Sequence, residues 1–162
     1  MSKDFFNRKR LAAIRSVAAE RPVRVRITGN CMAPHLRDSA CVWVQSKRWY
    51  WPGDVLVTRS RFGGLVAHRL IGTYRRHGAS RWLTQADSAP RPDCAVTAAE
   101  IVGKISKGEC SPDLVWVPLR HRVWAAWRFL RFAVTDRWLG RRAVNQDVHQ
   151  VVKLVKKTRR DA

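Results

Sequence analysis

The chain has 162 residues, enough for one domain of ordinary size plus a tail. Its content of 46% hydrophobic and 27% charged residues excludes an intrinsically disordered chain. With 32 Lys and Arg against 12 Asp and Glu, the formal charge of +20 predicts attraction to nucleic acid, an anionic membrane face or an acidic peptide.

Residues Phe5 to Glu20 carry Leu11, Ile14, Val17 and Ala18 at helical spacing with basic residues between, which predicts a short amphipathic helix ended by Pro22. This basic N-terminus lacks the apolar run of a signal peptide. From Val23 the period changes to two, with Val23, Val25 and Ile27 alternating with Arg24, Arg26 and Thr28 as in a half-buried strand. Further strands are predicted at Ala40 to Gln45, at Val55 to Thr58 after a Pro52-Gly53-Asp54 turn, and in "LVAHRLIGTYR" after a Gly63-Gly64 hairpin turn. A fifth follows in "SRWLTQAD", then the Pro-rich loop "SAPRPD", and a sixth in "AEIVGKISKG". Short strands with Gly and Pro turns and little helix describe a mostly β domain over residues 23–110, preceded by the helix of 1–22.

The remaining residues, 111–162, form a basic, Trp-rich helical extension. Val123, Trp127, Leu130, Val134 and Trp138 fall on one helical face, with Arg120, Arg128, Arg131 and Arg137 largely elsewhere. Such a stripe packs on the β domain, the commoner fate, or lies in the interface of an anionic membrane. The last segment, "QDVHQVVKLVKKTRRDA", reads as a short amphipathic helix running into a basic tail. No stretch approaches the roughly 18–20 apolar residues of a spanning helix. Nucleic acid is a weak expectation, because the charge comes with no recognisable binding motif.

Cys31, Cys41, Cys94 and Cys110 form no CxxC pair and no spacing typical of zinc, so no metal, no cofactor and no disulfide framework are expected. Cys31 stands apart from the other three, which have no partner pattern and read as structural. In "ITGNCMAPHL" a strand ends at Gly29-Asn30 and the thiol follows on a tight turn closed by Pro34. A nucleophile needs such exposure, a neighbouring base, and backbone N–H groups aimed at the developing oxyanion. Gly29 permits the turn, the Cys31 amide is the natural oxyanion donor, and the Asn30 side chain is placed to assist. His35, close in sequence, competes with His68 as a base.

"ITGNCMAP" resembles the nucleophile box G-x-S-M-x-P of the signal peptidase I and SOS-repressor-type self-cleaving peptidases. "WPGDVLV" resembles the P-G-D strand that follows in that family, and "VAHRLIG" is similar to the V-H-R segment of its archaeal and endoplasmic-reticulum branch, which uses His where bacterial relatives use Lys. "LTQADSAPRPD" resembles the family's T-K-G-D-N segment, and "EIVGKI" its closing V-V-G box. The five boxes occur in order over Ile27 to Ile105, roughly half the chain. The departures are Cys31 in place of Ser, Ser39-Ala40 in place of the expected Gly-Asp, and the lack of the family's N-terminal membrane anchor or of a repressor's DNA-binding domain.

The resemblance implies a partly closed β fold and a Cys31–His68–Asp93 triad, with His68 as base and Asp93 orienting it. Asp87 matches the first aspartate of its segment, as a structural residue or an understudy to Asp93. A thiol suits a His base, since a nearby imidazolium favours the attacking thiolate. The implied activity is a peptidase acting through a thioester acyl-enzyme, with acyl transfer or cyclisation as a variant; the missing anchor, rather than a motif, points to a precursor or leader peptide as the substrate. Without an anchor, a cytoplasmic location is expected, at most peripheral to the inner membrane face. The alternative is an inactive peptide- or membrane-binding module on the same fold.

Overall fold

The structure is a computed structural model that describes residues 3–60, 64–76, 78–93 and 95–139. Cys94, Gly63 of the predicted hairpin turn and the helix predicted near the C-terminus lie outside the described residues. The chain divides into two compact units, Met1–Trp127 and Arg128–Ala162.

The first unit is built on one antiparallel sheet. After helix α1 (Lys3–Glu20) come β1 (Val23–Arg26), β2 (Cys41–Gln45), β3 (Val55–Arg59), β4 (Leu65–Arg76) and β5 (Ala79–Gln85). A short 3-10 turn at Ala98–Glu100 leads into β6 (Ile101–Gly108), followed by a single helical turn α2 (Pro112–Val115) and by α3 (Leu119–Leu139). The six strands are ordered β1-β2-β6-β3-β4-β5, so the last strand in sequence lies at the centre. The protein is therefore mostly β with a helix at each side of the sheet sequence, and the sheet is not closed into a barrel. Thr28, just past β1, nevertheless donates its backbone N–H to the Leu65 carbonyl at 2.9 Å. That bond draws edge strand β1 toward the start of β4.

Alternation along the strands gives the sheet two apolar faces. One buries Val25, Ile27, Val42, Val44, Val57 and Ile105, and α1 adds Leu11 and Ala18 to it. Ser46 N–H donates to the Ala18 carbonyl at 2.9 Å and fixes the end of α1 against the sheet. The other face holds a smaller cluster of Leu56, Leu70 and Ile101, with Tyr50, Trp82 and Val96 packed on it. Edge strand β5 is partly covered, since Val96 bridges Trp82 and Asp93 N–H donates to the Thr84 carbonyl at 2.8 Å.

The boxes "WPGDVLV" and "EIVGKI" meet through a buried ion pair. Asp54, only 2% exposed, accepts from Lys104 Nζ at 2.8 Å and from Arg122 at 3.4 Å. Its second oxygen caps the turn by accepting from Trp51 N–H at 3.0 Å. Gly103, beside Lys104, runs so close to β2 that a Cβ would fall 2.5 Å from the Gln45 carbonyl. Only glycine permits that approach.

Helix α3 begins by turning Ala125, fully buried, toward the rest of the first unit. Arg122 on the same side donates to the Pro52 carbonyl at 3.2 Å. The predicted apolar stripe faces away: Val123 is 60% exposed, and Trp116 and Leu119 beside it are 82% and 74% exposed. Within the first unit, the start of the stripe is thus not covered by the β domain. In the second unit α3 continues to Leu139, with Leu130 and Val134 exposed on the same helical face. Among the described residues no helix is long and apolar enough to cross a membrane.

Candidate active site

Cys31 sits on a turn braced from three directions. Gly29 has φ +92°, a left-handed conformation that favours glycine, and a Cβ there would lie at an ordinary contact distance of 3.8 Å from Cys31 Sγ. The Gly29 N–H donates to Asp38 Oδ1 at 2.6 Å, and Asp38 N–H returns a bond to Asn30 Oδ1 at 3.0 Å. Ala33 N–H closes the turn on the Asn30 carbonyl at 3.1 Å. Met32 and Leu36, each 1% exposed, anchor the segment in the core and leave Cys31 half-buried between them and solvent. From the far side, the Ser88 N–H and hydroxyl both donate to the Cys31 carbonyl, at 3.2 and 3.0 Å.

Two of these braces answer the departure at Ser39-Ala40. Ser39 adopts φ 62°, the left-handed conformation that a Gly there takes easily. The carboxylate comes two positions earlier: Asp38, held below the usual carboxyl range first by the Gly29 N–H and further by Ser39, ties the turn together.

His68 comes from the centre of β4, where it stands opposite Leu56 on the face of the smaller apolar cluster. Its Nδ1 lies 2.9 Å from Asp93 Oδ2, with the His side chain 17% and the Asp side chain 29% exposed. The contact is close but poorly aligned as a hydrogen bond, and Oδ2 is buried with no other donor. Such geometry is common before substrate tightens a site. Cys31 adjoins the same ring. Burial opposes charge on the imidazole, but the Asp93 carboxylate and the Cys31 sulfur outweigh it and push the His68 pKa up to about 9. With Nδ1 turned to Asp93, Nε2 is the nitrogen left to serve Cys31.

Asp87 is placed elsewhere. Both its oxygens are held by Arg69, with Nε to Oδ1 at 2.8 Å and Nη2 to Oδ2 at 2.6 Å. Arg69 is fully buried and donates its remaining arm to the Gly53 carbonyl at 2.9 Å. Of the two roles open to Asp87, structural residue or understudy to Asp93, this bidentate clamp favours the structural one. His35 is placed against other partners. Its ring packs edge-on against His121 with centroids 6.3 Å apart, and its carbonyl accepts from Ser111 N–H at 2.9 Å.

The Asn30 side-chain Oδ1 accepts from the Asp38 N–H, so only its side-chain amide nitrogen remains for an oxyanion. Among the described residues none accepts from the Cys31 N–H, which leaves that donor available. Cys31, Cys41 and Cys110 are free thiols, and burial pushes the Cys110 thiol up. Among the described residues no group of three or more His, Cys, Asp or Glu is arranged to hold a metal ion. Sequence reasoning missed Asp38, Ser88 and Arg69; their roles depend on partners 9, 57 and 18 residues away, which no local pattern marks.

Compared with known proteins, the chain matches no protein-family model and no curated sequence.

Proposed function

We propose that the protein is a cysteine-nucleophile peptidase that cleaves a precursor or leader peptide with Cys31, His68 and Asp93. The observation that carries this reading is the juxtaposition of a half-buried thiol on a braced turn, an imidazole beside it, and a carboxylate 2.9 Å behind the imidazole. The resemblance of five ordered boxes to the signal peptidase and SOS-repressor families supports it, with His68 aligned to the His-base branch.

In this reading the Cys31 thiolate attacks the peptide carbonyl carbon and forms a C–S bond. The oxygen takes the negative charge and is met by the Cys31 N–H. The imidazolium gives its Nε2 proton to the leaving amine as the C–N bond breaks, which leaves a thioester. Neutral His68 then takes a proton from water, the hydroxide attacks the thioester, the C–S bond breaks, and the thiolate–imidazolium pair is restored. Asp93 holds the ring in one tautomer throughout. An amine in place of water turns the same intermediate toward transpeptidation or cyclisation. Edge strand β1 leads to this centre, and an extended substrate can pair along it. The location proposed with this activity is cytoplasmic, at most peripheral to the inner membrane face.

Alkylation of Cys31 followed by intact mass tests the reading without a substrate. Wild-type protein should be alkylated near neutral pH about tenfold or more faster than His68→Ala, because the imidazolium favours the thiolate. The two rates should approach each other above pH ~10, where the wild-type His68 has lost its charge. Equal rates at every pH overturn the assembled pair.

A second reading, a membrane-binding module on a retired peptidase fold, draws on the exposed Trp116, Leu119 and Val123 with Trp49 and Trp51, 72% and 66% exposed. It predicts flotation with anionic vesicles that Cys31→Ala leaves intact while no peptide is ever cut.

A further inference from the structure

A cleft of about 360 Å³ lies between α1, edge strand β1 and the start of β4. Its floor is apolar, with Leu11 and Ile14 from α1, Val23 and Val25 from β1, and Leu65 from β4. Its walls carry Arg10, Arg24, Arg26 and Arg59, and its lining contains no acidic residue. Arg10, Arg24 and Arg26 are exposed. Thr28 and Leu65, both in the cleft's lining, are joined by a backbone hydrogen bond at 2.9 Å. Cys31 follows Thr28 by three residues and His68 follows Leu65 by three, so both chains that meet there continue directly into the catalytic pair.

We infer that this cleft selects an extended peptide with acidic side chains at alternate positions and apolar ones between. The inference rests on the peptidase reading and names its substrate class. Arg24 and Arg26 are separated by one residue on a strand, so their side chains leave the same face and repeat at about 7 Å. A peptide laid extended along β1 repeats its own side chains at that spacing, and Asp or Glu at every second position meets both guanidiniums. The intervening side chains then turn to the floor formed by Val23, Val25, Leu11 and Ile14. Arginine suits this use because its planar fork pairs carboxylates in a bidentate fashion.

Binding to the Cys31→Ala protein tests the cleft apart from the chemistry. The probes are fluorescein-labelled peptides with alternating Glu and Val, the same peptide with Gln for Glu, and one with the same Glu residues clustered at one end, read by anisotropy at about 0.1 M salt. The alternating acidic peptide should bind about tenfold tighter than the Gln peptide, the effect of two partly exposed ion pairs. Arg24→Glu with Arg26→Glu should remove that preference, and Arg10→Glu should reduce it. Arg75→Glu with Arg76→Glu, on the far end of β4, should leave it unchanged. Circular dichroism confirms that each variant is folded, and Arg24→Gln and Arg26→Gln serve where charge reversal is not tolerated.

Equal binding of the Glu and Gln peptides overturns the inference. So does equal loss on reversing Arg75 and Arg76, which reads as general attraction to a +20 protein. Equal binding of the clustered peptide removes the alternating register. If selectivity is found but wild-type protein never cuts the bound peptide, the peptidase reading falls and the cleft stands. If neutral peptides are cut and no selectivity is found, the cleft inference falls alone.

Discussion

Two neighbouring residues of β4, His68 and Arg69, each face an aspartate from the segment that follows β5, and the two pairs are built in opposite ways. Arg69 is fully buried, and each of its three guanidinium nitrogens donates, two to the oxygens of Asp87 and one to the Gly53 carbonyl. His68 is one position away on the other face of the sheet. It keeps one nitrogen for Cys31, remains partly exposed, and meets Asp93 at close range without full alignment. A saturated pair welds the β4–β5 hairpin and its following loop to the Pro52-Gly53-Asp54 turn. An incompletely satisfied pair beside it has room to hold and pass a proton. The alternation of a strand is what lets adjacent residues serve these two ends.

The comparison is broken most sharply by exchanging which aspartate is removed. Asp93→Ala should lower peptide turnover by about 10²- to 10⁴-fold, the range for losing a group that orients a general base. Above about pH 9, where His68 is neutral, it should leave the thermal midpoint nearly unchanged, which a denaturation scan at that pH beside the turnover assay reads directly. Asp87→Ala should do the reverse. Leaving Arg69 buried without its partner costs about 3–5 kcal/mol of stability, and urea denaturation should show the loss. Should the Asp87 variant remain stable and Asp93→Ala unfold, the roles assigned to the pairs are inverted.

The pH dependence sharpens the contrast. His68 is raised from 6.5 to about 9 in the folded protein. A raised folded-state value means that the charged ring binds its proton more tightly folded than unfolded. The stability it contributes is therefore complete below about pH 6.5 and is lost as pH rises through about 9. The denaturant midpoint of wild type relative to His68→Ala should fall over that window, and a difference that does not vary with pH removes the imidazolium from the folded state. The smallest effect is expected at Ser88. Ser88→Ala removes one hydroxyl bond to the Cys31 carbonyl, worth about 1 kcal/mol, while the Ser88 N–H bond remains. Cys31 alkylation should slow only a few-fold, about the rate equivalent of that energy.

Much of the fold was legible from short-range pattern. Alternating Val23, Val25 and Ile27, the turn at Pro52-Gly53-Asp54 and the runs around Val57, His68 and Leu83 mark strands because side-chain direction in a strand depends only on neighbouring residues. The same local logic singled out Cys31 on its Gly-led turn and, with the family resemblance, His68 and Asp93. The α3 stripe shows the limit. Its periodicity located a helix, yet the side that packs carries Ala125 and Arg122, and Val123 and Leu119 face outward. Helical periodicity says which residues share a face, whereas the turn before the helix and the partners available to it decide which face is buried.

What the sequence by itself determined is thus the kind and order of the elements and the chemistry of the candidate nucleophile, since both are properties of adjacent residues. Only the tertiary structure decided that Asp87 clamps Arg69, that Asp38 and Ser88 brace the Cys31 turn, and that Arg10 faces Arg24 and Arg26 across a cleft. Each of those facts joins residues distant in the chain. Such joining depends on the strand order β1-β2-β6-β3-β4-β5, in which the last strand completes the centre of the sheet and brings the separate pieces into reach.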